Sequence, residues 1–333
     1  MNALRSLFVS PGPTVGVEIA ARRVSAAALV RRGARWVVSA HTVEPLPPGL
    51  VTPSLTAPNI ADRPALVAAL RRVFDRLGTR PRRIGLVVPD NMAKVSLVRF
   101  DKVPARAQDL DGLIRWQVRR TAPFSIDEAQ VSWTPGAALP DGAQEYVVAL
   151  ARRSIVAEYE EACAGAGAHA GLVDLATLNV INAVLAGDRA PADDWLLVHV
   201  GADYTSLAIV RGGVLIFFRN RAAEGEGDLA DIVHQTAMYY EDRLHGSSFS
   251  RVILSGAALA GEAEAEARGA DPAAVQAGIE PLRRSLQDRL AATVEMVDPQ
   301  SAAALTDRIA AGPALLDTLA PLVGLILRDQ KAA

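Results

Sequence analysis

Two stretches of this chain carry one pattern. They are Thr14 to Val43, TVGVEIAARRVSAAALVRRGARWVVSAHTV, and Trp195 to Asn220, WLLVHVGADYTSLAIVRGGVLIFFRN. Each reads as strand, small turn, strand, Gly hairpin and strand, because runs of Val, Ile, Leu and Phe bounded by Gly and Asp are what buried strands look like. Aligning the first turns sets Glu18 beside His199 and Ala20 beside Gly201, and the hairpins at Val30 and Val210 then match within one residue. A unit repeated about 180 residues apart predicts two like-folded α/β halves. The turn at Gly201 is the candidate site.

The chain between the repeats alternates helix and strand patterns. Five prolines between Glu44 and Asn59 argue for a loop. Leu66, Val67, Leu70, Val73, Phe74 and Leu77 recur at helical spacing over Arg63 to Leu77, with Gly78 as the stop. Ile84 to Val88 suits an inner strand beside helices. From Lys94 come a strand, KVSLVRF, a helix, DLDGLIRWQVRR, the segment TAPFSIDEAQVSW and a strand, EYVVALA. That helix puts Leu110, Leu113, Ile114 and Val118 on one face and leaves Trp116, Arg119 and Arg120 partly off it. A helix from Arg153 to Ala164 and the strand HAGLVDL follow.

Composition narrows the classes. With 333 residues, half of them hydrophobic, the chain is long enough for two domains. No run reaches the roughly 18 uncharged apolar residues of a membrane span. Pro313 to Leu327 comes nearest, but it is short and contains Asp317 and Pro321, so it reads as a helix against a sheet. One cysteine, Cys163, excludes an internal disulfide and a cysteine metal cluster. A net charge of −2 gives no electrostatic case for nucleic acid. The N-terminus lacks the charge and apolar core of a secretory signal, so a soluble cytoplasmic protein is expected.

The segment Arg115 to Trp133, RWQVRRTAPFSIDEAQVSW, resembles the inserted subdomain of the PilM family, actin-like proteins of type IV pilus assembly related to FtsA. Trp116, Pro123, Phe124, Asp127 and Glu128 stand at matching positions. The likeness extends to VGVEI as a first phosphate turn, LLVHVGADYTSLAIVRGG as a second, RVILSGAALAG as the adenosine turn, and VEMVDP with GPALLDTLAPLVGLILR at the end. It implies an actin-like, ribonuclease H-like α/β fold. Residues 1–100 and 173–190 would form the first half, 101–172 the inserted subdomain and 191–333 the second half. It also implies a cytoplasmic protein at the inner membrane that holds the N-terminal tail of a PilN-like bitopic protein between the inserted subdomain and its neighbour. Trp116, Pro123 and Phe124 are the expected contacts, and other pilus platform or motor proteins are further expected partners.

Departures from that pattern bear on chemistry. Actin-like turns use an Asp in each strand to hold magnesium and its waters, with small residues letting backbone N–H groups reach the phosphates. Here Glu18 and His199 replace the aspartates, Ala20 and Ala21 replace a Gly and a hydroxyl residue, Arg22 replaces a small one, and Ser25 stands where Lys is usual. Gly201, Thr205, Ser206 and Gly256 remain. Only Arg221 to Asp231 stands where the family carries the second half's small subdomain. The degenerate nucleotide site would thus comprise Glu18, Ala20, Arg22, His199, Gly201, Thr205 and Gly256. No catalytic residue and no metal site is expected, and Mg-ATP binding is expected to be weak or absent.

Plain structural roles compete with each of these. His199 in an apolar strand reads as a satisfied core residue, Glu18 as a carboxylate bonded to turn N–H groups, and Arg22 and Arg23 as hairpin surface charges. Asp127 and Glu128 read as turn chemistry. Two rivals stand beside the scaffold reading. One is an ATP-binding member with an unorthodox site built from Glu18, Arg22, Gly201 and Gly256. The other is the cytoplasmic half of a type II secretion platform protein, which normally continues into a membrane span, as this sequence does not.

Overall fold

The computed structural model describes residues 12–222, 229–268 and 272–328. The first repeat forms β1 (Val15–Ile19), β2 (Arg23–Arg32) and β3 (Arg35–Pro45), followed by α1 (Arg63–Leu77) and β4 (Arg83–Val88). Both ends of α1 are set locally. Asp62 accepts a hydrogen bond from the Ala65 amide, and Gly78 takes the left-handed backbone, φ 70°, that glycine adopts at least cost.

Next come β5 (Ala93–Phe100), α2 (Ala107–Arg119), β6 (Ala129–Ala138) and β7 (Gln144–Arg152), then α3 (Arg153–Gly165), β8 (His169–Leu175) and α4 (Ala176–Ala186). The second repeat supplies β9 (Trp195–Val200), β10 (Tyr204–Arg211) and β11 (Val214–Ala222), followed by α5 (Leu229–Leu244), β12 (Arg251–Ser255), α6 (Ala257–Arg268) and α7 (Pro272–Leu290). The chain closes with β13 (Val294–Met296), β14 (Ala303–Leu305) and α8 (Pro313–Leu327).

The duplication is visible in the register. One sheet runs β14-β3-β2-β1-β4-β8 and the other β11-β10-β9-β12-β13, so each half repeats the order of a three-strand meander followed by a parallel strand. Glu18 pairs with Ser25 across the first hairpin, and His199 pairs with Ser206 across the second. The sequence alignment of the two turns is therefore also a structural one.

Helices α4 and α8 lie between the sheets. Leu319, Leu322, Val323 and Ile326 of α8 bury against Ala27, Leu29 and Val87 of the first sheet, while Val180 and Ile181 of α4 meet Leu197, Ala208 and Val210 of the second. Gly324 makes this pairing possible, since a Cβ there would fall 1.7 Å from the Asn179 carbonyl oxygen. The apolar segment Pro313–Leu327 is thus an interior helix, and among the described residues no helix is long and apolar enough to cross a membrane.

The expected boundaries shift in three places. Strand β5 belongs with β7 and β6 in a separate three-stranded sheet, so the inserted subdomain begins at residue 93 instead of 101. It ends near residue 152 instead of 172, because α3 and β8 pack in the first half. Strand β14 pairs with β3, and α8 covers the first sheet, so the end of the expected second half returns to the first. The segment Arg221 to Asp231 leaves only residues 223–228 between β11 and α5, and those lie outside the described residues.

Candidate functional site

The turns after β1, β9 and β12 converge on one cleft. Glu18, Ala20, Arg22, His199, Gly201 and Gly256 all line it. Thr205 does not: it sits in the β10 ladder opposite Val200 and Arg221. Gly256 has φ 81°, and a Cβ there would fall 2.1 Å from the Val200 carbonyl oxygen, so only glycine lets these two turns cross. Gly201 is covered differently, by the buried Tyr204 ring, which a Cβ at 201 would meet at 2.5 Å.

Two of the cleft's charged groups, Glu18 and Arg23, are engaged with each other. Glu18 is not held by turn N–H groups, as expected, but by an ion pair with Arg23 at 3.0 Å, and Arg23 Nε also donates to Ser25 Oγ. Arg23 is therefore no surface hairpin charge, whereas Arg22 is exposed at the rim. His199 is buried with Nε2 3.3 Å from the Tyr204 hydroxyl and Nδ1 3.4 Å from Ser255 Oγ. Burial, with the Arg23 charge adding, lowers its pKa to about 4, so the imidazole is neutral at pH 7.

Asp317, from α8, reaches the start of α6, where its Oδ2 accepts from the Ala258 amide at 2.9 Å. A helix N-terminus favours an anion. Here the chain's own carboxylate takes that position, beside the Gly256 turn. Burial raises the Asp317 pKa to about 6, against the opposing pull of the amides and Arg23. The cavity volume is about 40 Å³, room for a few waters, whereas ligand pockets typically run ~300–1,000 Å³. As it stands the cleft has little room for Mg-ATP. Magnesium wants several oxygen ligands, and of the three carboxylates here Glu18 is tied to Arg23, Asp203 accepts from Asn91 and one oxygen of Asp317 caps α6, beside a neutral imidazole.

A further pair of contacts fastens the two halves. Asp90, fully buried after β4, accepts from Ser206 Oγ at 2.6 Å and from the Thr177 amide at 3.1 Å at the start of α4. Its neighbour Asn91 donates to Asp203 at 2.9 Å. Burial raises the Asp90 pKa to about 6, while these hydrogen bonds oppose the shift.

A second concavity lies between the inserted sheet and the first half. Gln130 and Ser132 of β6, Ala149 and Ala151 of β7, Val156, Ala157 and Glu160 of α3, and the run Ala170 to Leu175 of β8 line a groove of about 340 Å³. Strand β8 is the terminal strand of the six-stranded sheet, so its outer backbone edge faces this space. None of Trp116, Pro123 and Phe124 lines it. Side chains alternate faces along a strand. Val131, Tyr146, Val148 and Leu150 point to the opposite side and bury Leu110, Ile114 and Val118 of α2. Phe124 packs there half-buried, and Trp116 stands outward, 60 % exposed. This groove thus lies across the three-stranded sheet from Trp116. Asp127 and Glu128 do form a turn: Ser125 Oγ accepts from the Asp127 amide, and Glu128 pairs with Arg152.

Sequence reasoning missed Arg23 as a cleft residue, together with Tyr204, Asp203 and Asp317, and it missed Asp90 as the buried link between the halves. Asp317 carried a signal, a lone acid in an apolar run, but its contact partner is 59 residues away.

Comparison with known proteins agrees with this topology. The family described as type IV pilus assembly protein PilM matches residues 16–244. The PilM-PilN type IV pilus biogenesis complex is similar in structure, at 20 % identity, covering 96 % of this chain and 99 % of that one with a TM-score of 0.76. A Bacteroides thetaiotaomicron protein with an actin-like ATPase fold aligns at 10 % identity over 95 % and 98 % of the chains, TM-score 0.47. The ethanolamine utilization protein EutJ from Carboxydothermus hydrogenoformans aligns at 10 % identity over 96 % and 90 %, TM-score 0.47. With its duplicated actin-like halves and inserted subdomain, the chain belongs to the type IV pilus assembly protein PilM family.

Proposed function

We propose that this protein is a nucleotide-independent adaptor of a type IV pilus assembly platform, working on the cytoplasmic side of the inner membrane. It holds the N-terminal tail of a PilN-like membrane protein in the groove beside β8. The observation that carries this reading is the groove itself: an open strand edge, Ala170 to Leu175, faces apolar and small side chains from the inserted sheet and α3. An extended tail adds backbone hydrogen bonds to such an edge, and alternate side chains enter the space opposite. Arg153, Glu160 and Asp174 at the groove provide charge for register. The similarity to a structure described as a PilM-PilN complex supports the choice of partner.

The cleft supports the second part of the reading. Arg23 already neutralises Glu18, and Asp317 already occupies the helix start. An ATP molecule would have to break both contacts before gaining any of its own.

The test is capture of the membrane partner's cytoplasmic tail by wild-type protein and by Ala149→Trp, which fills the groove. Capture by the wild type and its loss in the variant, with unfolding still cooperative, is the expected result. Equal capture by both proteins would place the tail elsewhere.

A further inference from the structure

The outer face of α2 is built unlike the groove behind it. Trp116 is the most exposed large hydrophobic side chain among the described residues. One turn on, at i+3 and i+4, stand Arg119 and Arg120, both exposed and without an ion pair among the described residues. One turn back is Gly112, where a Cβ would meet nothing within 4 Å, so the indole has an open, flat shoulder. Arg115, by contrast, is held by Asp111, which also accepts from Trp133 Nε1, so that arginine points along the helix and stiffens it. The opposite face, Leu110, Ile114 and Val118, is buried in the subdomain core. The helix therefore lies flat on the molecule with an aromatic and two guanidinium groups facing out, and with one exposed carboxylate, Asp109, two turns back on the same face.

Charge is also divided along the chain. Residues 1–92 carry 13 Lys and Arg against 5 Asp and Glu, whereas the inserted subdomain, residues 93–152, carries 8 against 7, net +1. The positive charge beside the exposed tryptophan is therefore local, that of Arg119 and Arg120. Tryptophan favours the boundary between headgroups and acyl chains, and arginines beside it attract anionic headgroups.

We infer that the outer face of α2 docks against an anionic lipid surface through Trp116, Arg119 and Arg120. This contact is separate from the groove, which opens on the other side of the three-stranded sheet. It would hold the inserted subdomain against the bilayer without insertion of any segment.

The test is partitioning of the full chain onto vesicles of phosphatidylethanolamine with about one-third phosphatidylglycerol, against phosphatidylcholine vesicles, at low and high salt. Wild-type protein is expected to bind the anionic vesicles at low salt with a blue shift in tryptophan emission. Trp116→Phe should remove that shift, and Arg119→Gln with Arg120→Gln should weaken partitioning by about tenfold or more. The groove variant Ala149→Trp should bind vesicles like the wild type. Trp116, Arg119 and Arg120 are exposed and Ala149 lies on the other face of the sheet, and melting temperatures close to wild type check that folding is intact. Failure of the wild type to bind anionic vesicles at low salt would overturn the inference and leave the face to a protein partner. So would equal binding by the arginine double variant.

Discussion

Asp317, near the start of the last helix, accepts a hydrogen bond from the Ala258 amide at 2.9 Å and so closes the N-terminus of α6 from a distance in sequence. That contact joins α8 to the Gly256 turn, the one that the family resemblance equates with an adenosine turn. Together with the Glu18–Arg23 pair, it engages two of the cleft's carboxylates, while Asp317 Oδ1 stays buried without a partner.

Burial raises the Asp317 pKa from 3.8 to about 6, so the folded protein holds that proton more tightly than the unfolded chain. The stability it contributes is full below about pH 4 and is lost as pH rises through about 6. Two pH units at ~1.4 kcal/mol each make the loss about 3 kcal/mol. Asp90 contributes in the same direction. Melting curves of wild type and Asp317→Asn between pH 5 and 7.5 check this. The wild type should lose more stability over that range than the variant, and parallel losses would contradict it.

Gly324 and Gly33 predict opposite sensitivities. At Gly324 a Cβ would strike the Asn179 backbone, so Gly324→Ala should separate α4 from α8 and cost about 3 kcal/mol or more. Gly33 sits in a hairpin at φ 61° with nothing within 4 Å, so Gly33→Ala should cost only about 1 kcal/mol. Urea unfolding of both variants ranks them directly.

Peptide capture should separate the two faces of the inserted sheet. Ala149→Trp is expected to weaken tail binding more than tenfold, or about 1.4 kcal/mol, with little loss of stability. Phe124→Ala removes a half-buried ring from the subdomain core and should cost about 2 kcal/mol of stability while leaving tail affinity unchanged. Fluorescence anisotropy of a labelled tail peptide, alongside melting curves, distinguishes these outcomes.

The repeat was legible because β1 and β9 obey the same strand and hairpin rules, and a shared register follows from shared local chemistry. Helix α1 was legible end to end, since Asp62 and Gly78 act within one turn of the residues they cap. The cleft was only half legible. Its turns are local, but Arg23 could point outward or inward from β2, and nothing near Asp317 in sequence announces α6. The groove beside β8 was not legible for a similar reason. Gln130 and Ser132 differ from Val131 only by the alternation of the strand, so the sequence does not say which face of the sheet carries the concavity and which carries α2 with Trp116.

The most direct measurement is isothermal titration of the purified chain with the partner's N-terminal tail peptide, in the presence and absence of Mg-ATP, together with titration of Mg-ATP alone. A nucleotide-independent adaptor gives saturable peptide binding with the same affinity in both conditions and no heat of ATP binding. Micromolar ATP binding, or a peptide affinity that changes several-fold with ATP, would contradict it and show that the Glu18–Arg23 and Asp317–Ala258 contacts yield to the nucleotide.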